Sequence, residues 1–266
     1  MKIVFLVLTA FFSIGINASN FVSIKISQST IMDETPSITV ALPASYKTNR
    51  TKAYPVLYVL DGVANGDLVN GMIQRLHLSK GSNEHIIVGV TSNNRLRDFA
   101  PTVNKDPRGP VGEGGGGDKF LDFLEGELIP AINMHYRTNN YNVISGHSVA
   151  GLLVIHSFQS RPNLFQGHLA FSPAVWWGER ETLQATKEYV ATAKHIQNYL
   201  YMDIGNEGGE MRQVYDSLVQ TILRNRNIDL NVRFDEFEHE THDFTMAAGL
   251  YSALKGLFQH QQKLGL

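Results

Sequence analysis

The chain of 266 residues has no cysteine, which excludes a disulfide framework, a redox thiol centre and a thiolate metal site. It also has no cluster of Lys or Arg. With 23 basic against 25 acidic residues the formal charge is -2, and nothing is concentrated enough to neutralise a row of phosphates or hold an anionic membrane. No nucleic acid is therefore expected as a partner. A disordered or collagen-like chain is excluded as well, because 43% of the residues are hydrophobic and 18% charged. What remains is a globular protein long enough to bury a large core.

At the N-terminus, Met1-Lys2 precedes an apolar run from Ile3 to Ile16 that is too short to span a bilayer, and Ala18 ends the segment. This is the pattern of a secretory signal. The expectation is a signal peptide over residues 1–18, one mature domain over residues 19–266, a periplasmic or secreted location, and no membrane contact once the signal is removed. The triplet Asn49-Arg50-Thr51 matches a glycosylation sequon, but so short a match carries no weight.

Val22, Ile24 and Ile26 alternate with polar residues, as do Ile38, Val40 and Leu42, which predicts an antiparallel pair at a sheet edge. From Pro55 the texture changes to short, nearly continuous apolar runs: Val56 to Leu60, Ile86 to Val90, Tyr141 to Ile144, His168 to Phe171 and Tyr199 to Ile204. Such runs predict parallel strands covered on both faces. Between them, Leu121, Leu124, Leu128 and Ile132 recur at helical spacing, as do Met211, Tyr215, Leu218 and Ile222, and then Met246, Leu250, Leu254 and Leu257. The fold class is α/β, with a mostly parallel sheet, an antiparallel N-terminal edge and helices on both faces. The Gly-rich stretch from Asn104 to Gly117 lacks the Lys-Ser or Lys-Thr of a phosphate loop, having Asp118-Lys119 instead. A flexible surface loop bordering the strand C-termini is expected there.

The most informative segment runs from Tyr141 to Gly151 and is followed by the apolar Leu152 to Ile155. A strand, a turn with Ser148 among small residues, and a helix make a nucleophile elbow. The serine of such an elbow sits in a strained turn, and bulky residues two positions either side would collide with the adjacent strand and helix. Gly146 and Ala150 meet that need, although Ala150 stands where Gly-x-Ser-x-Gly has its second glycine and Gly151 follows one residue later. The helix start points amides at the attacked carbonyl, so Val149 N–H is an expected oxyanion donor. The alternative is an ordinary turn in which Ser148 caps a helix.

A serine hydroxyl needs a histidine within hydrogen-bond reach, oriented in turn by a carboxylate. Downstream lie His156, His168, His195, His239, His242 and His260. His156 falls in the helix after the serine and His260 in the last helix, whereas His239 and His242 lie between the last expected strand, Leu230 to Phe237, and the last helix, the expected place. Their spacing does not fit the i, i+4 pair of a zinc helix and no third ligand is evident, so no metal is expected. For the acid, Asp203, Glu207 and Glu210 are available at the end of the strand Tyr199 to Ile204. Glu207 follows the turn Gly205-Asn206, from which a side chain can reach back; Asp203 lies within the strand and Glu210 begins the next helix.

Several segments together resemble the putative-esterase family of α/β-hydrolases, which includes siderophore (enterobactin-type) esterases, feruloyl esterases, S-formylglutathione hydrolases and mycolyltransferases. They are Tyr54 to Gly62, Arg97-Asp98-Phe99, Phe120 to Ile132, Gly146 to Gly151, and Phe171-Ser172-Pro173 with Trp176-Trp177, in the family's order and over most of residues 19–266. Mycolyltransferases are similar in having Ala at the place of Ala150. The resemblance implies an α/β-hydrolase fold and a serine esterase that acts through an acyl-enzyme on a small-molecule ester, without a cofactor.

Within the resemblance, His242 is similar to the family's catalytic histidine and Gly205-Asn206-Glu207 to its acid loop, with Asp203 second; some siderophore esterases work as a Ser-His dyad. The second oxyanion donor maps to the amide of Val63, with Gly62 allowing the close approach and Asp61 structural or facing the substrate. Arg97 and Asp98 resemble a family ion pair near the site, with a plain surface pair as the alternative. Trp176 and Trp177 are expected either to wall the pocket or to pack in the core. An exported, cysteine-free chain is most similar to the periplasmic siderophore esterases. An acyltransferase with the same triad, or a non-catalytic binding protein on the same scaffold, are the alternative functions.

Overall fold

The computed structural model describes residues 21–24, 29–107, 109–225 and 229–266, so the expected signal, residues 1–18, lies outside the described residues. Strands buried on both faces must be apolar at nearly every position, and the short apolar runs become the centre of an eight-stranded sheet. In chain order the strands are β1 (Phe21–Ile24), β2 (Ser37–Ala41), β3 (Tyr54–Leu60), β4 (Ile86–Thr91), β5 (Thr138–His147), β6 (Gly167–Phe171), β7 (Tyr199–Ile204) and β8 (Asn231–Glu236). Their spatial order is β1-β2-β4-β3-β5-β6-β7-β8. β3 to β8 run parallel, and the antiparallel β1 and β2 form one edge beside β4, as expected.

Among the described residues eight α-helices pack around the sheet: α1 (Gly62–Leu78), α2 (Arg95–Phe99), α3 (Gly117–Phe123), α4 (Ile129–His135), α5 (Val149–Ser160), α6 (Glu181–Thr192), α7 (Gly209–Arg224) and α8 (Thr245–Lys263). α1 and α8 cover one face, where Val69, Ile73, Leu250 and Leu254 meet Leu57, Val59, Val143 and Leu169. The other helices cover the opposite face, where Phe120, Leu153 and Leu218 share a core with Val56, Tyr58 and Ile144. Among the described residues no helix is long and apolar enough to cross a membrane.

Two local features differ from expectation. The helical pattern from Leu121 to Ile132 is interrupted by a π-helical turn, Leu124–Leu128, between α3 and α4. Pro130 has no N–H to return to the carbonyl of Gly126, and a widened turn accommodates the gap. The Gly-rich stretch, expected to be a flexible loop, is tied down. Gly115 and Gly117 donate to the Ala100 carbonyl at 3.0 and 3.3 Å, and Gly116 donates to that of Arg97 at 2.9 Å. Gly114 and Gly115 hold φ of +100° and +90°, and a Cβ at Gly116 would lie 2.6 Å from the Arg97 carbonyl oxygen, so these glycines serve close packing on α2.

Register pairs Val59 with Ser145, His147 with Phe171, Phe171 with Asp203 and Ile204 with Glu236. The C-terminal ends of β3, β5, β6, β7 and β8 therefore stand in a row, the place where parallel α/β sheets bind ligands.

Candidate active site

Ser148 connects β5 to α5 with φ 60° and ψ −119°, a conformation that costs energy for any residue with a Cβ. Its amide donates to the Phe171 carbonyl at 2.9 Å, and its own carbonyl accepts from Leu152 and Ala174 at 2.9 and 3.0 Å, so the strained turn is held from both sides. A Cβ at Gly146 would lie 2.6 Å from the carbonyl carbon and oxygen of Ala150 and 2.9 Å from its methyl. The Ala150 methyl fits in that gap because Gly146 has no side chain. Gly146→Ala is therefore expected to lower the unfolding free energy by about 1–3 kcal/mol in urea denaturation, through overpacking against a fixed backbone. An unchanged midpoint would contradict this tight contact.

The histidine comes from the loop after β8 and the acid from the loop after β7. These loops touch: Asn206 N–H donates to the Glu240 carbonyl at 2.8 Å, and a Cβ at Gly205 would lie 2.6 Å from the same oxygen. Contact between them brings Glu207 Oε1 to 2.7 Å from His242 Nδ1, and His242 Nε2 to 2.9 Å from Ser148 Oγ. With Nδ1–H donating to the carboxylate, the lone pair of Nε2 faces the serine hydroxyl, the tautomer a general base requires. Burial alone would raise the Glu207 carboxyl, but hydrogen bonds from His242 and Ser172 outweigh it and hold the group down at about 2. Glu207 is thus an anion throughout the neutral range.

The competing candidates have other roles. Asp203 is fully buried in β7, accepts the Ser172 amide at 2.8 Å and makes no hydrogen bond to His242. Glu210 pairs with Arg180. His239 is exposed, His156 pairs with Asp118 at 2.8 Å, and His168 and His260 are buried in the core.

Of the two expected oxyanion donors, Val149 opens α5, where a helix leaves its first amides without an intrahelical partner. Val63 N–H instead donates to Thr91 Oγ1 at 3.1 Å. The turn that bears it is locked. Asp61 accepts Arg95 Nε at 3.0 and 2.9 Å on its two oxygens, and Arg95 Nη2 donates to the His147 carbonyl at 3.0 Å. A side chain at Gly62 would collide with the Gly89 backbone.

The expected Arg97–Asp98 pair forms at 2.6 Å, with Glu34 as a further partner of Arg97. Arg97 makes no hydrogen bond to the Ser148 turn; Arg95 is the arginine that does. Trp177 is only 3% exposed, belongs to the core, and donates its indole N–H to the Thr102 carbonyl at 2.8 Å, which removes it from any pocket wall. Trp176 is half-buried beside Gly109.

Sequence reasoning missed Arg95, Thr91, Ser172 and the neighbour of Ser148, His147. Nε2–H of His147 donates to the His242 carbonyl at 2.7 Å, fixing the histidine loop to the elbow. Burial, then the closeness of His242, lowers its basicity. Its position next to the serine was the available signal.

Residues 29–260 match the family model described as "Putative esterase". The chain is similar to the ferri-bacillibactin esterase BesA of Bacillus subtilis, 31% identical over 62% of each chain. It is also similar to the siderophore triacetylfusarinine C esterase of Aspergillus fumigatus, 29% identical over 59% of this chain and 57% of that one. It thus spans about three-fifths of the length of these curated relatives. Among solved structures, the IroE-like serine hydrolase of Shewanella oneidensis superposes with a TM-score of 0.84 at 29% identity, over 90% of this chain and 80% of that one. The siderophore hydrolase EstB of Aspergillus nidulans shares the fold, with a TM-score of 0.76 at 20% identity over 91% of this chain and 96% of that one. A match running from Ser29 to His260 takes in the loops after β3, β4, β5, β6, β7 and β8, and on it the chain belongs to this esterase family, built on the α/β-hydrolase fold.

Proposed function

We propose that the protein is an exported serine esterase that hydrolyses siderophore esters through an acyl-enzyme at Ser148. The observation that carries this reading is the chain from Ser148 Oγ to His242 Nε2 at 2.9 Å and from His242 Nδ1 to Glu207 at 2.7 Å. His242 takes the serine proton as Oγ attacks the ester carbonyl. The oxyanion faces the Val149 amide and, on displacing the Thr91 hydroxyl, that of Val63. Collapse of the intermediate expels the alcohol, which receives the proton from His242, and a water activated by the same histidine then frees the acid. Glu207 remains ionised and stabilises the transient imidazolium.

Val63 and Phe244 are 72% and 55% exposed, and they offer apolar surface beside the reacting groups for the aryl or alkyl part of a substrate. The substrate class is supported by relatives that are named as siderophore esterases. Export is supported by the pattern of residues 1–18, and protein recovered outside the cytoplasm is expected to begin at Ser19 on N-terminal sequencing.

The test is hydrolysis of p-nitrophenyl acetate, bacillibactin and triacetylfusarinine C by the purified protein. The expected result is cleavage of the activated ester and of at least one siderophore to linear products. Cleavage of the activated ester alone would overturn the substrate class, and cleavage of none would overturn the reaction.

A further inference from the structure

Next to the Ser148–His242–Glu207 chain lies a second set of buried polar groups. Ser172 follows β6 at φ 41°, where a residue with a Cβ is strained, and it is fully buried. Its hydroxyl donates to Glu207 Oε1, the same oxygen that accepts from His242 Nδ1, and lies 3.2 Å from that nitrogen. We propose that Ser172 is a positioning residue for the acid–base pair, donating a second hydrogen bond to Glu207 Oε1 and held in place from below by Asp203, a role that rests on the catalytic reading above.

The support beneath Ser172 is specific. Its amide donates to Asp203 Oδ1 at 2.8 Å. Tyr201 Oη lies 3.2 Å from Asp203 Oδ2 and 3.0 Å from Asp235 Oδ2. The one phenol proton lies between the two carboxyl groups. Asp203 is the fully buried one, and burial raises it well above the ordinary carboxylate range. Gly249 of α8 closes the site from outside, since a Cβ there would collide with Asp203 Oδ2 and Tyr201 Oη. Asp203 thus grips the strained Ser172 peptide from beneath.

Two donors on Oε1 draw charge from it. Without the Ser172 hydroxyl, the carboxylate offers more charge to His242 Nδ1–H and the imidazolium is favoured. The other titratable or charged groups facing the pair are Asp203 and, behind Tyr201, Asp235 on the sheet, His147 on β5, Arg95 on α2 and Asp243 beside His242. Of these only Asp203 bonds to Ser172.

The experiment is an NMR titration of the His242 ring, assigned by its loss in His242→Gln, in wild type, Ser172→Ala and Ser172→Gly. Glycine adopts φ 41° freely, so its variant removes the hydroxyl without the backbone strain. In both variants the His242 midpoint is expected to rise by about 0.5 to 1 pH unit, the size of one hydrogen bond to a charged group after solvent compensation. The acid limb of kcat/KM should move with it, while KM changes less than about twofold. A midpoint within about 0.2 unit of wild type in both variants would overturn the proposal whatever happens to activity, because a merely structural serine has no reason to move it. The titration is read on the ring itself, so an inactive wild type would count against the esterase reading and leave this test standing.

Discussion

Ser148→Ala is expected to lower kcat/KM for any ester the protein turns over by at least about a thousandfold, or ~4 kcal/mol of transition-state stabilisation. The size follows from what the variant removes. The hydroxyl removed is the one that His242 Nε2 faces at 2.9 Å, and what remains is only the oxyanion amides and substrate binding. The loss should not be one of folding. Alanine has the same Cβ at φ 60° that serine has, so the strain of the elbow is unchanged, and Ser148 Oγ bonds no group outside the reacting set. Thermal unfolding of the variant should therefore lie within a few degrees of wild type. His242→Ala should fall by a similar factor, and the double variant by no more than either single one, because the two residues act as a unit. A Ser148→Ala protein that keeps more than about a tenth of wild-type activity would place the nucleophile elsewhere.

Glu207→Gln is expected to lower kcat/KM by about a hundred- to ten-thousandfold, as loss of an orienting carboxylate does in other triads. The amide is nearly isosteric, but its NH2 group can face Nδ1 and force the proton onto Nε2, where the lone pair is needed. A fall of less than about tenfold would mean that Ser148 and His242 suffice as a dyad. The same substitution has a signature in stability. Glu207 is held below its unfolded value, at about 2, so its contribution to stability is complete above the unfolded range and is lost as pH falls through the folded value. The gap in unfolding free energy between wild type and Glu207→Gln should therefore be constant near neutral pH and close between about pH 5 and pH 2 in urea denaturation.

The parts of the fold that were legible are those in which one physical demand governs every position. Strands covered on both faces must be apolar throughout, and the runs at Val56, Ile86, Tyr141, His168 and Tyr199 stand out for that reason. α1 escaped notice because its buried stripe includes Gly62, Gly66 and Asn70, small or polar residues that let the helix approach β4 and disguise its periodicity. α6 escaped for a similar reason, since Thr182 and Thr186 share its buried face with Leu183 and Val190.

At the site, chain order and turn residues leave His239 and His242, and Asp203, Glu207 and Glu210, as candidates; the resemblance selects His242 and Glu207, and the geometry brings those two together with Ser148. What spacing does not encode is direction. Arg95 and Arg97 are two residues apart on one short helix, and only packing decides that Arg95 meets Asp61 and His147 while Arg97 meets Glu34 and Asp98. Asp203 and Glu207 differ in the same way, one locked under the sheet's edge and the other turned to the histidine. Ser172 stands in the motif Phe171-Ser172-Pro173, yet its hydrogen-bonding neighbours, Glu207, Asp203 and His242, are all distant in sequence.

The most direct test of the Ser148–His242–Glu207 assignment is reaction of the protein with a fluorophosphonate, followed by peptide mapping by mass spectrometry. The predicted result is one adduct per chain, on the peptide containing Ser148, formed at a rate that falls at least about a hundredfold in His242→Ala. A folded protein that hydrolyses esters but takes up no label at Ser148, or takes it up equally fast without His242, would contradict the account.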